Sequence, residues 1–376
     1  MYKTYFNKFS LKALIKPILL LLFTTFLFGN TVVFANDETK KEESTEKFNA
    51  GELILDHIGD AHEWHIVLDV YIPLPVILYV EGEGLKVFSS SHFEHGKATY
   101  EGFASNGNHI VAVNSDGKLD ETQTAKIWDI SITKNTATIL FSVFIMLFVF
   151  LSVAKAYKRN PDKAPKGLQS MIEPIIVFVR DDIAKGSIGE KKYHKYMPFL
   201  LTIFFFIWIT NMLGLIPIFP GGSNVTGNIA ITMTLAVFTF IITTINANRH
   251  YWRHIFAMPG VPFGVLFIIT PIEILGIFLK PFVLMIRLFA NILAGHIVSL
   301  SFVCLIFIFA EINKIAGYSV TAISVPFMIF MMLLDVLVAF LQAYVFTLLS
   351  AIYFGAATEE HEHHPPHPDP EQQSVV

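Results

Sequence analysis

Beyond residue 130 the chain consists of long apolar runs separated by short polar loops. Five hydrophobic spans can be read, at roughly 132–156, 196–218, 228–247, 264–309 and 320–355. About 20 apolar residues suffice to cross a bilayer as a helix, so the first three fit one crossing each. The last two exceed one crossing, which predicts steeply tilted or membrane-parallel helices, with a hairpin inside 264–309 as the alternative. Between the first two spans, "PKGLQSMIEPIIVFVRDDIAKGSIG" alternates apolar clusters with charges, the pattern of an amphipathic helix lying at the interface. Residues 36–125 follow a different rhythm. "NDETKKEESTEK" reads as a solvated linker, and "YIPLPVILYVEGEGLKVFSSS" mixes β-branched and aromatic residues with Gly and Pro punctuation, predicting short strands and turns. The predicted fold is an all-α multi-pass membrane protein of five membrane segments, carrying a small extracytoplasmic N-terminal domain with β structure.

The ends separate from this body. Lys3, Lys8, Lys12 and Lys16 precede "PILLLLFTTFLF", and small or neutral residues follow near Ala35, so residues 1–35 read as a signal peptide, with an uncleaved anchor as the alternative. The expected domains are then 36–125 outside the membrane, 126–358 within it, and a disordered cytoplasmic tail at 359–376. That tail, "EEHEHHPPHPDPEQQ", is His- and Pro-rich, with metal capture as its second reading. Basic residues set the orientation. Lys155, Lys158, Arg159, Lys163 and Lys166 follow the first span, and Lys191, Lys192 and Lys195 precede the second. The loop "MLGLIPIFPGGSNVTGN" has no Lys or Arg, whereas Arg249 and Arg253 follow the third span and only Lys314 marks the next turn. The positive-inside rule puts the N-terminal domain outside a cell inner membrane and the C-terminus in the cytoplasm.

Composition narrows the function. A mean hydropathy of +0.55 with 53% hydrophobic and 15% charged residues excludes an ordinary soluble domain. The single cysteine, Cys304, excludes an intrachain disulfide. The sequence contains no glycine-rich phosphate loop, no nucleophile elbow and no internal repeat, so neither a catalytic centre nor an inverted-repeat transporter is indicated. "DHIGDAHEWH" gathers His57, His62 and His65 with Asp56, Asp60 and Glu63. A metal site would be conceivable if the stretch were helical; the favoured reading is a polar segment at the membrane surface.

The polar residues inside the apolar runs are the informative ones. Glu273, Lys280 and Arg287 recur every seven residues, with Asn291 four beyond, and on a helix they form one stripe. His296, nine residues past Arg287, falls on the opposite side, and Asp335 and Gln342 are again seven apart. A charge at the centre of a membrane helix costs roughly 2.5–3.5 kcal/mol, so such residues line an ion path or pair with one another. Pairing of Arg287 with Glu273 or Asp335 to lock two helices is the structural alternative to a proton or cation path.

"PIEILGIFLKPFVLMIRLFANILAGH" closely resembles the arginine helix of subunit a of F-type ATP synthases, and "NMLGLIP" and "FLQAYVFTLLSAIYFGAATEEH" resemble two further signature regions of that family. The likeness covers about residues 130–360 in order. It implies a non-catalytic stator subunit without a cofactor, working against a ring of c subunits beside the b subunits of a peripheral stalk and the remaining synthase subunits, in lipid and without nucleic acid. Arg287 would be the essential stator arginine, Asn291 and Gln342 the polar residues beside it, and Glu273 an acidic residue of the proton path. Where many members have an acidic residue and a histidine, this chain has His296 and Asp335, as if the two were exchanged between helices. A sodium-translocating version and a stand-alone ion transporter are the alternatives. Residues 36–125 lie outside the family core and inherit no role, so deleting residues 40–120 is expected to spare translocation.

Overall fold

The computed structural model describes residues 49–67, 70–94, 96–114, 117–159, 164–216, 221–256, 258 and 261–359. The signal reading, the linker and all of the tail beyond Glu359 lie outside the described residues.

The N-terminal domain opens with α1 (Ala50–Ile58) and continues as short antiparallel strands: β1 (Glu63–Val67), β2 (Val70–Pro73), β3 (Pro75–Val80), β4 (Gly84–Ser89), β5 (Thr99–Tyr100), β6 (Phe103–Asn106) and β7 (His109–Ala112). The one-turn helix α2 (Glu121–Thr124) then leads to β8 (Ile127–Asp129). β3 is the centre of a β4-β3-β8 sheet, and β5-β6-β7 form a second three-stranded sheet. Alternation along β3 sends Val76, Leu78 and Val80 into a small core with Phe93, Phe103 and Ile110, as the two-residue period of a strand requires. The β3–β4 turn depends on Gly82 and Gly84, whose φ of +96° and +88° a side chain would strain.

β8 runs directly into the membrane body. Its helices are α3 (Lys134–Arg159), α4 (Leu168–Phe178), α5 (Gly186–Ile188), α6 (Tyr193–Leu215), α7 (Ile229–Ile245), α8 (Arg249–Phe256), α9 (Phe263–Ile312) and α10 (Lys314–Thr358). Among the described residues four helices are long and apolar enough to cross a membrane, and the bent pair α7–α8 makes a fifth. α6 is apolar all round and is the packing centre, with Leu200, Ile203, Phe204 and Phe206 fully buried between α3 and α10. The amphipathic segment forms α4, a π-helical turn over Val179–Lys185 and α5. There Arg180 grips Asp181 through two hydrogen bonds and Lys185 adds a third cation contact, holding the Asp181 carboxyl down at about 2.

The hairpin alternative needs correction. No hairpin interrupts 264–309: α9 is one helix of 50 residues, continuous through Pro271 and Pro281. The chain reverses later, at Asn313, whose extended backbone breaks the ladder and whose side chain caps α10 by accepting from Ile315 N. After α7 the chain turns through 100° and Arg249 and Arg253 sit on the helix α8. Asn248 fixes the bend by hydrogen bonds from its backbone N–H and its amide to the last carbonyls of α10, at Ala357 and Thr358.

α10 passes so close to α5 that a Cβ at Gly355 would collide with the Ser187 carbonyl oxygen. Gly355→Ala is expected to cost about 1–3 kcal/mol by overpacking. The check is the thermal stability of the assembled complex in detergent, and an unchanged midpoint would contradict this packing.

Candidate functional site

α9 and α10 lie side by side and antiparallel, and small residues let them approach. A Cβ at Gly295 would stand 2.9 Å from Asp335 Oδ1, and one at Gly317 would stand 2.9 Å from Ala310 Cα. Asp335 therefore rests on the backbone of α9, where Ser299 Oγ donates to its Oδ2 at 3.4 Å. His296, the next residue after Gly295, turns instead toward α6. Its Nε2 is 3.8 Å from the Cβ position of Gly214.

Between these groups lies a narrow cavity of about 20 Å³, lined by Asn211, Asn224, Thr226, Asn291, His296 and Asp335 among others. That volume holds about one water. Thr226 Oγ1 donates to Asn211 Oδ1, but Asn211 Nδ2 and both amide atoms of Asn224 are buried with no partner among the described residues. Leaving such a group dry costs about 1–3 kcal/mol, so this lining favours hydration. His296 and Asp335 thus share one polar cavity, but no hydrogen bond or ion pair joins them directly.

Arg287 is exposed, half a helical turn round from His296 on α9. Among the described residues no salt bridge ties it to Glu273 or Asp335, so the helix-locking alternative fails. Its neighbour one turn on, Asn291, lines the cavity, which therefore ends about one turn from the arginine. Gln342 is buried (6% exposed), and counting from the Gly295–Asp335 contact puts it level with Arg287. Toward the start of α9, Lys280 Nζ sits 5.8 Å from the Tyr251 ring and 5.7 Å from the Tyr353 ring, both within cation–π range. Glu273 is half-buried and within electrostatic reach of Tyr251. The structure accordingly gathers Asn291, His296 and Asp335 into the cavity and leaves Glu273, Arg287 and Gln342 outside it. The sequence reading missed Asn211, Asn224 and Thr226. The signal available for Asn224 and Thr226 was a polar "GSNVTGN" run without charge in an apolar setting, and Asn211 opens the "NMLGLIP" stretch.

The histidine cluster of the N-terminal domain is not helical throughout. α1 stops at Ile58, so His62 and His65 share no helix face. His62 Nε2 is 2.9 Å from Asp129 Oδ2. Burial pushes the Asp129 carboxyl up, but the hydrogen bonds from His62 and Ser131 outweigh it and leave the group below its usual range. Asp60 caps α3, accepting from Asn135 N and Thr133 Oγ1 at 2.9 Å each, and its burial lifts its carboxyl above the ordinary range. Lys134 Nζ donates to His57 O at 3.3 Å, and Trp64 Nε1 donates to Gly221 O at 2.9 Å. The domain is thereby fastened to α3 and to the loop that lines the cavity.

Residues 136–355 match the family described as ATP synthase A chain, and residues 53–130 match a family described as a domain of unknown function. The chain is 44% identical over 247 residues to "ATP synthase subunit a 2" of Chlorobaculum tepidum, covering 64% of this chain and 67% of that one. It is 42% identical over 240 residues to ATP synthase subunit a of Chloroherpeton thalassium (63% and 69% covered). It is also 41% identical over 249 residues to ATP synthase subunit a of Myxococcus xanthus (64% and 77% covered). With that match spanning the helices that build the cavity and carry the arginine, the chain belongs to the ATP synthase A chain family, the multi-pass, ion-translocating stator component of the synthase.

Proposed function

We propose that the chain is the non-catalytic, proton-conducting stator subunit of an F-type ATP synthase, working against a ring of c subunits with the b subunits of the peripheral stalk beside it. The observation that carries this reading is the two-sidedness of α9: Arg287 on an exposed face, the His296–Asp335 cavity on the other. A ring carboxyl group is neutral while it faces lipid. Opposite Arg287 the fixed positive charge favours its ionised form, so the proton leaves there. One half-channel is the hydrated cavity; the other runs along Glu273, Tyr251, Lys280 and Tyr353 toward the opposite face. Arg287 blocks direct leakage between them, since a guanidinium neither gives up its own proton nor tolerates a neighbouring cation. Each charge crossing 100 mV supplies roughly 2.3 kcal/mol, which rotation passes to ATP synthesis elsewhere in the complex. The distribution of basic loops orients the N-terminal domain outside the cell inner membrane and the C-terminus in the cytoplasm.

An imidazole in the cavity favours protons over sodium, because it relays a proton near neutral pH and is a poor ligand for a hard cation. ATP-driven proton uptake into inverted vesicles is expected to be unchanged when sodium is removed and abolished by a protonophore. A requirement for sodium would turn the assignment to the sodium version. Purification of the chain without c and b subunits would favour a stand-alone transporter.

A further inference from the structure

The N-terminal domain has no part in that mechanism, yet its first helix packs on α9, the helix that carries His296. Cys304 Sγ approaches Ala50 O at 3.9 Å, so the start of α1 packs on α9. His57 is seven residues on from Ala50, and His296 is eight residues back from Cys304. At 1.5 Å per residue both intervals are about 10–12 Å, which brings His57 to the height of His296. The two imidazoles are within electrostatic reach of each other, and so are Lys134 and His296.

The surrounding contacts make this a built wall. Lys134, only 7% exposed at the start of α3, donates to the His57 carbonyl. Asp60 holds the N-terminus of α3 through Thr133 and Asn135. Trp64 holds Gly221, two residues before Ser223, which lines the cavity and donates to Thr138 Oγ1 of α3 at 2.6 Å. Segment 50–64 is therefore attached to α9, to α3 and to the lining loop, on one side of the same cavity.

We propose that residues 50–64 form the entrance of the half-channel that begins at this cavity, with His57 as its outermost proton-exchanging group. His57 is exposed while His296 is partly enclosed, so the imidazole pair spans from solvent to cavity. A proton adds to one ring nitrogen of His57 and the proton on the other nitrogen leaves toward His296, so one enters for each that is passed on. Among the described residues, the charged groups near His57 include Lys134 on α3 and His296 on α9, and Asp60 faces Lys134. The Lys134 ammonium beside the relay disfavours a resident metal cation and equally opposes lasting protonation of either ring, so a proton that adds to His57 is passed on rather than held. The expectation that residues 40–120 are dispensable is thereby reversed.

This inference rests on the cavity being a half-channel. The test is ATP synthesis by the whole complex in proteoliposomes, driven by a potassium diffusion potential. His57→Ala is expected to lower the rate about tenfold with the complex assembled, and added imidazole is expected to restore part of it. A rate within about twofold of the parent, or a fall that imidazole leaves unchanged, overturns the entrance. If instead the parent complex makes no ATP under this potential, or Arg287→Ala is harmless, the functional reading itself fails.

Discussion

Arg287→Ala is expected to abolish proton-driven ATP synthesis while leaving the complex assembled. The side chain is exposed and forms no salt bridge with Glu273 or Asp335, so its removal opens no cavity and strands no partner charge. What disappears is the field that ionises the ring carboxyl group. An arginine within about 4–6 Å lowers a carboxyl pKa by roughly 1–3 units, which is about 1.4–4 kcal/mol, or ten- to a thousandfold in the ionised fraction. Arg287→Lys is expected to fail as well, because a lysine is a mobile point charge without the planar fork. Synthesis measured in inverted vesicles decides the matter: a near-normal rate in the alanine variant contradicts the assignment.

The second large effect concerns the cavity. His296→Ala and Asp335→Ala should each slow pumping severely, since each removes a titratable group from a space that holds about one water. The two do not touch, so their coupling passes through the cavity and is smaller than that of a direct ion pair. A double-mutant cycle is expected to give an interaction of about 0.5–3 kcal/mol. The reversal His296→Asp with Asp335→His should recover more activity than either single swap, though incompletely. An imidazole at 335 must fit where the carboxylate now lies against Gly295, with only 2.9 Å to a Cβ position there. Strictly additive losses would mean that the two sites act independently, and the path would then run through Glu273.

Much of this was legible in the sequence, for physical reasons. Apolar runs have to be buried in lipid, so span count and the excess length of the last two segments follow from the pattern alone. The half-turn between Arg287 and His296 is set by helical geometry and survives in the structure. The turn at Asn313 falls in the gap read between the fourth and fifth spans, beside Lys314, whereas the pattern alone could not choose between one long helix and a hairpin inside 264–309. The close relation of His296 to Asp335 was only half legible. Spacing fixes a residue's face on its own helix, whereas Gly295 and Gly317 set how near the next helix comes. The role of segment 50–64 was hidden for the same reason: Trp64 meets Gly221 across 157 positions of chain, and no local pattern announces such a contact.

The length of α9 has one more consequence. Fifty residues make a rod of about 75 Å against a hydrocarbon core of about 30 Å, so a rod embedded along its length slants nearer the membrane plane than its normal. Glu273 and His296 are 23 residues, or about 35 Å, apart on that rod. On a slanted rod most of that separation is sideways. An ion delivered beside one residue cannot drop straight through to the other; it has to be carried laterally by something that moves. The slope of a single helix thus makes passage across the membrane and sideways displacement of a carrier the same event.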